Sequence, residues 1–106
     1  MQNDTNQQEF LSTPDNELFI LRLFVTGASP NSTRAISNIK SICEANLCDK
    51  YELEIIDVYQ QPLMAESEQI IALPLLIRKF PLPERRMIGD LSDTKKVLKG
   101  LGLEED

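Results

Sequence analysis

No histidine and no tryptophan occur among the 106 residues, and cysteine appears twice. Without an imidazole no Cys/His zinc set can be assembled, and the commonest general base is missing. The two thiols, Cys43 and Cys48, are too few for a disulfide scaffold. Aromatic residues make up 6% of the chain against 42% hydrophobic residues overall, so the core has to come from Leu, Ile and Val. Positive charge is scarce: 17 acidic against 11 basic residues leave a net charge of −6, opposite to what nucleic acid or an anionic membrane surface requires. Long apolar runs are missing too. The richest, Leu18 to Val25, is broken by Arg22 and falls well short of the ~18 residues of a membrane span. Acids and amides stand at the N-terminus where a secretory signal carries a positive flank and an apolar block, so a cytoplasmic location is expected. The glycines form neither GxxxxGK[ST] nor GxGxxG, so no nucleotide or other cofactor is expected.

What is present fits one domain. Residues 1–16 are rich in Gln, Asn, Asp, Ser and Thr and read as a flexible polar leader, the folded domain is expected over residues 17–103, and 104–106 form an acidic tail. The run from Leu18 to Val25 is apolar on both faces, as a central strand of a covered sheet requires. Ser29 then offers an N-cap and Pro30 suits a first helical position. Ala35, Ile36, Ile39, Ile42, Cys43 and Leu47 recur at spacings of three and four, which predicts a helix with one apolar stripe. Tyr51 to Ile55 alternates at period two and continues apolar to Val58 around Asp57, a second strand. A helix between two such strands predicts a right-handed crossover and hence parallel pairing.

The second half is more weakly patterned. Pro62 opens a short helix through Glu68 to Ile71, and Leu75–Phe80 with Arg85–Gly89 predicts a hairpin about Pro81-Leu82-Pro83. Ser92 is expected to cap a last helix with Val97, Leu98 and Leu101 inside, stopped by Gly100 and Gly102. The order is βαβαββα.

That order, with Pro74 just before the third strand, resembles the thioredoxin superfamily. Its redox members carry Cys-x-x-Cys at the start of the first helix, where the dipole lowers a thiol pKa. Here that place is expected at Ala28-Ser29-Pro30-Asn31, with no thiol. The stretch Leu23-Phe24-Val25-Thr26-Gly27-Ala28-Ser29-Pro30-Asn31-Ser32-Thr33-Arg34-Ala35 resembles the opening motif of the KaiB family. Ile55-Ile56-Asp57-Val58, Pro62-Leu63-Met64-Ala65-Glu66, Ile71-Ala72-Leu73-Pro74 and Arg85-Arg86-Met87-Ile88-Gly89-Asp90-Leu91-Ser92 are similar to further KaiB signatures in the same order, so that the likeness spans roughly residues 18 to 103.

The resemblance implies a non-catalytic regulator that binds a KaiC-like ATPase, with a KaiA-like protein or a histidine kinase as further partners, in clock timing or stress adaptation. It also implies an alternative rearranged fold, βαββααβ, that assembles as a tetramer, with the thioredoxin-like form favoured here because the chain ends soon after its last helix; a homodimer or homotetramer follows as an option. By the same resemblance, Arg22, Arg34, Arg78, Arg85 and Arg86 fall where the family carries basic partner-binding residues. Glu54 stands where clock members often have lysine, and Pro74, Gly89, Asp90 and Gly100 are structural or switch positions. A free-standing sensor module for a histidine kinase is a second reading, and a divergent thiol enzyme using Cys43 or Cys48 a third. Cys43 reads more simply as a small core residue and Cys48 as an incidental thiol, while Asp57 reads as a strand-end acid binding turn amides rather than a catalytic base.

Overall fold

The structure is a computed structural model that describes residues 18–70 and 72–104. The expected polar leader, Ile71 at the end of the second helix, and the last two acids of the tail lie outside the described residues. Strand β1 (Phe19–Val25), helix α1 (Pro30–Asn46), β2 (Tyr51–Asp57), α2 (Pro62–Ser67), β3 (Leu75–Phe80), β4 (Arg85–Ile88) and α3 (Thr94–Leu101) follow in the expected βαβαββα order.

The described strands form one sheet in the order β2-β1-β3-β4. β1 and β2 are parallel, whereas β3 runs antiparallel to β1 and pairs with β4 as the expected hairpin. A strand at the sheet centre needs apolar side chains on both faces, and β1 supplies them. Phe19, Leu21, Leu23 and Val25 join the larger core with Ala35, Ile39, Ile42 and Cys43 of α1, Leu76 of β3, and Val97 and Leu101 of α3. Phe24, facing the other way, meets Ile56, Leu75 and Ile77 in a smaller core. Each fully buried Leu or Ile stabilises the fold by about 1.5–3 kcal/mol, so most of the apolar stabilisation lies on the α1/α3 side.

Helix α1 begins where its cap dictates. The Ser29 hydroxyl accepts from the Ser32 backbone N–H, Pro30 occupies the first turn, and Leu47 closes the other end by donating its N–H to the Cys43 carbonyl. Helix α3 departs from expectation. Its cap is Asp93, whose carboxylate accepts from the Lys96 N–H, not Ser92. Ser92 instead donates its own N–H to Asp90 Oδ1, so the Asp90 side chain closes a turn that leaves Ser92 before the helix. Gly102 at φ +83° takes the left-handed C-cap, while Gly100 lies within the helix. A Cβ on Gly100 would press on the end of the flexible Met87 side chain, which would have to shift, so Gly100 sits where α3 approaches β4 and does not stop the helix. Helix α2 ends at Ser67, with Glu68 as C-cap, shorter than the pattern suggested. The Leu73–Pro74, Phe80–Pro81 and Leu82–Pro83 peptides are cis.

Candidate interaction surface

The start of α1 is the first place to look for chemistry. Ser29 at the N-cap and Ser32 one turn later bring their hydroxyls to 2.8 Å. Ser32 is 1% exposed and also accepts from the Thr26 N–H at 3.1 Å. The two side chains that meet are thus Ser29, within the expected stretch Ala28–Asn31, and Ser32 just beyond it. Two hydroxyls that satisfy backbone amides and each other have no thiol chemistry to offer. Cys43, in the large core, has its thiol pushed up to about 12 by burial and by the charge of Glu44, so the nucleophilic thiolate is suppressed. Cys48 is exposed, and both cysteines are free. Asp57 Oδ1 accepts from the Tyr59 N–H at 2.9 Å, the role of a strand-end acid fixing a turn. Among the described residues no group of His, Cys, Asp and Glu is arranged to hold a metal ion.

Charged residues are brought together instead on the α2 face of the sheet. The registers align Arg22 with Glu54 on β2 and with Ile77 on β3, and Ile77 with Arg86 on β4. Glu54, Arg22, Ile77 and Arg86 therefore form one row across all four strands, with side chains on the same face. Lys79, two residues beyond Ile77, shares that face. Arg22 Nε lies 3.4 Å from Glu54 and its Nη1 3.6 Å from Glu68. Lys79 bridges Glu68 at 2.9 Å and Glu84 at 2.8 Å, which raises the lysine pKa and lowers that of Glu84. Arg86 Nη2 reaches Glu68 Oε1 at 3.3 Å and donates to the Glu68 carbonyl at 2.7 Å. Glu68, with a side chain 13% exposed, is the hub of this network.

The remaining expected residues lie elsewhere. Arg34, on the exposed side of α1, donates to Asp90 Oδ2 at 3.1 Å and to the Asn31 side chain. Asn38 donates to the Asp90 carbonyl at 2.8 Å, so α1 holds the loop after β4. Asp90 has its pKa lowered by the hydrogen bonds from Ser92 and then by Arg34. Gly89 precedes it at φ +117° with open space where a Cβ would stand, so its requirement is conformational and not steric. Arg85 is exposed opposite Arg78 in the hairpin register. Arg78 itself is corrected: expected among the partner-facing cations, it is 5% exposed. Its guanidinium donates to the Leu101 carbonyl at 2.8 Å and to the Pro83 carbonyl at 2.6 Å, tying α3 to the hairpin loop. Pro74 is buried.

The network thus contains Arg22, Glu54 and Arg86, expected as partner-binding residues, together with Glu68 and Lys79, which sequence reasoning did not single out. The signal lay in side-chain parity. Parity puts Arg22, Lys79 and Arg86 on one face, but that Glu68 at the C-cap of α2 meets all three shows only once the strands are in register.

A βαβαββα sheet of parallel and antiparallel strands flanked by helices, with hydroxyls at the start of α1, defines a thioredoxin-like domain that lacks the thiol pair there. Solved structures agree. The N-terminal domain of SasA from Synechococcus elongatus superposes with a TM-score of 0.66 at 26% identity, covering 85% of this chain and 89% of that domain. Mitochondrial thioredoxin 3 from Saccharomyces cerevisiae, in its oxidised form, does so with a TM-score of 0.66 at 14% identity, covering 90% and 87%. A model of the KaiB domain matches residues 22–103. Circadian clock protein KaiB3 of Synechocystis sp. is 49% identical over 89 residues, 84% of this chain and 87% of that protein. Circadian clock oscillator protein KaiB of Synechococcus elongatus is 49% identical over 85 residues, 80% and 83% respectively. The chain belongs to the KaiB family. No helix among the described residues is long and apolar enough to cross a membrane.

Proposed function

We propose that this KaiB-family protein is a non-catalytic regulator that docks onto a KaiC-like ATPase, in clock-related timing or stress adaptation. The observation that carries the reading is the family match across residues 22–103, joined to a helix start that holds Ser29 and Ser32 and no thiol. Arg34 and Arg85 are exposed cations, and Arg22, Glu54 and Arg86 keep enough exposure in their network to orient a charged partner. Arg78, 5% exposed, is left out of the proposed docking set. Glu54 is the position at which partner choice departs from that of clock members with a lysine there. Pro74, Gly89, Asp90 and Gly100 act by fixing the backbone and the packing of the second half, and they are the positions from which the rearranged tetrameric form would be controlled.

The test is a pulldown with the KaiC homologue of the same organism, in ATP and in ADP, read alongside native mass. A nucleotide-dependent complex weakened about tenfold by Arg85→Glu is the expected result. No complex in either nucleotide overturns the ATPase partner. The mass also separates monomer from the homodimer and homotetramer that the family resemblance allows. The likeness to the SasA N-terminal domain favours a second reading, a free-standing adaptor for a histidine kinase. Competition of the chain with a kinase sensor domain for one partner, without a KaiC homologue, supports it. A KaiA-like partner would add to the assembly on the ATPase and not replace it.

A further inference from the structure

Helix α2 is fastened to the sheet differently from α1 and α3. None of its residues is fully buried, and its N-cap Gln61 makes no side-chain bond. Beneath it lie Phe24, Ile56, Leu75 and Ile77, each no more than 3% exposed. The cover over them consists of Val58, Met64, Ile70 and Leu73, all only partly buried. Of these, only Met64 belongs to α2 itself.

At the other end of the helix the fastening is ionic. Glu68, the C-cap, meets Arg22 of β1, Lys79 of β3 and Arg86 of β4, while its backbone carbonyl takes a second bond from Arg86. Three cations on one face of the sheet repel one another unless an anion lies among them. Glu54 and Glu84 each offset one of them, but the Glu68 carboxylate is the anion that meets all three and, through its attachment to α2, holds the helix over the apolar floor.

We propose that Glu68 is an electrostatic latch. While its carboxylate joins Arg22, Lys79 and Arg86, the segment 60–70 stays closed over Phe24, Ile56, Leu75 and Ile77. When those ion pairs are lost, the segment lifts from the sheet as a strap, with the four strands still paired. The opening is local: α1 and α3 cover the opposite face and keep the larger core whole.

The test is hydrogen–deuterium exchange of the full chain, comparing wild type with Glu68→Gln at low and high salt. Glutamine keeps the size and removes the charge. In the variant at low salt, amides of residues 62–70 are expected to exchange roughly tenfold faster or more, with those of β1 and β3 changing less than about twofold. About 1 M salt shortens the screening length to ~3 Å, so it accelerates 62–70 in wild type and adds little in the variant. Glu84→Gln removes the other carboxylate on Lys79 but lies outside α2, and it is expected to leave 62–70 unchanged. Glu68→Asp, one methylene shorter, gives an intermediate acceleration and keeps the test alive should Glu68→Gln not fold. Equal exchange of 62–70 in wild type and the Glu68 variants overturns the latch. So does acceleration shared equally by the strands, or reproduced by Glu84→Gln.

Discussion

The first half of the chain, β1 to β2, and the second, α2 to α3, share one apolar core but differ in how much polar fastening they add to it. In the first half α1 runs 17 residues from a side-chain cap to a bonded C-cap and buries Ala35, Ile39, Ile42 and Cys43 against the sheet. In the second half β3 and α3 also bury Leu75, Leu76, Ile77, Val97 and Leu101, but α2 buries nothing completely, and polar fastenings are added: Arg78 to the Leu101 and Pro83 carbonyls, Glu68 to its three cations, and Arg34 to Asp90. Apolar burial is non-directional and hard to undo piecemeal, whereas charge-assisted contacts are directional and respond to salt, pH and single substitutions. The first half is therefore a scaffold, and the second half is the part whose local stability can be adjusted without dismantling the fold.

The largest expected effect breaks the scaffold. Ile39 is 0% exposed between α1 and the sheet, so Ile39→Ala leaves a cavity costing about 2–5 kcal/mol. Denaturant unfolding followed by circular dichroism should show a single cooperative transition shifted to lower denaturant, and amide protection should fall in both halves alike. Loss confined to the second half would mean that the halves are coupled less than the shared larger core implies.

Arg78→Met comes next. It fills the same channel with a flexible apolar chain but leaves the Leu101 and Pro83 carbonyls without the donor they have now. An unmet buried acceptor costs on the order of 1–3 kcal/mol. Here the halves should part company, with faster exchange in residues 81–104 than in β1 and α1. If β1 and α1 loosen equally, the guanidinium is a part of the scaffold and the division drawn above is misplaced.

How far each half was legible follows from the range of its forces. Helix α1 could be read because Ser29-Pro30 and the spacing of its apolar residues are local signals, and α1 obeys them. The parallel pairing of β1 and β2 followed from the helix that connects them. The cap of α3 was misread because Ser92 and Asp93 are both good caps, and the choice is made by Asp90, whose side chain takes the Ser92 amide into a turn. Gly100 was misread because α3 continues through it to Leu101 and the left-handed cap falls on Gly102, a choice the two glycines alone do not reveal. Arg78 was taken for a surface cation since nothing local reveals that two carbonyls, one from a loop and one from α3, converge on it. The Glu68 hub needed the registers of three strands at once. Local chemistry was visible in the sequence, and convergence of distant polar groups was not.

A smaller effect sharpens the comparison at the polar start of α1. Ser29→Ala removes the cap of α1 and the hydroxyl partner of Ser32, a loss of about 1 kcal/mol. Thermal unfolding should shift by a few degrees. Asp93→Ala, the equivalent change on α3, is expected to give a similar loss of about 1 kcal/mol but to open α3 before the sheet. If both variants loosen the same residues, the two helices belong to one cooperative unit.

The smallest effect concerns pH. Asp90 has a folded-state pKa below its ordinary value of 3.8, because Ser92 donates to its carboxylate and Arg34 lies beside it. As pH falls toward that ordinary value, the unfolded chain takes up a proton that the folded chain still refuses, so stability declines with acidity. The contribution is fully present above the unfolded pKa and is lost as pH drops through the lower folded one. Asp90→Asn lacks this step, and its stability should therefore fall less steeply than wild type on acidification below about pH 4. Since Asp90 is solvent-accessible and Arg34 largely exposed, added salt should shrink the part that Arg34 supplies and leave the part due to Ser92. Equal acid limbs for wild type and Asp90→Asn, in denaturant titrations between pH 2 and 6, would show that the α1 contact to this loop holds position without storing stability. In that case the adjustable character of the second half would rest on Glu68 and Arg78 alone.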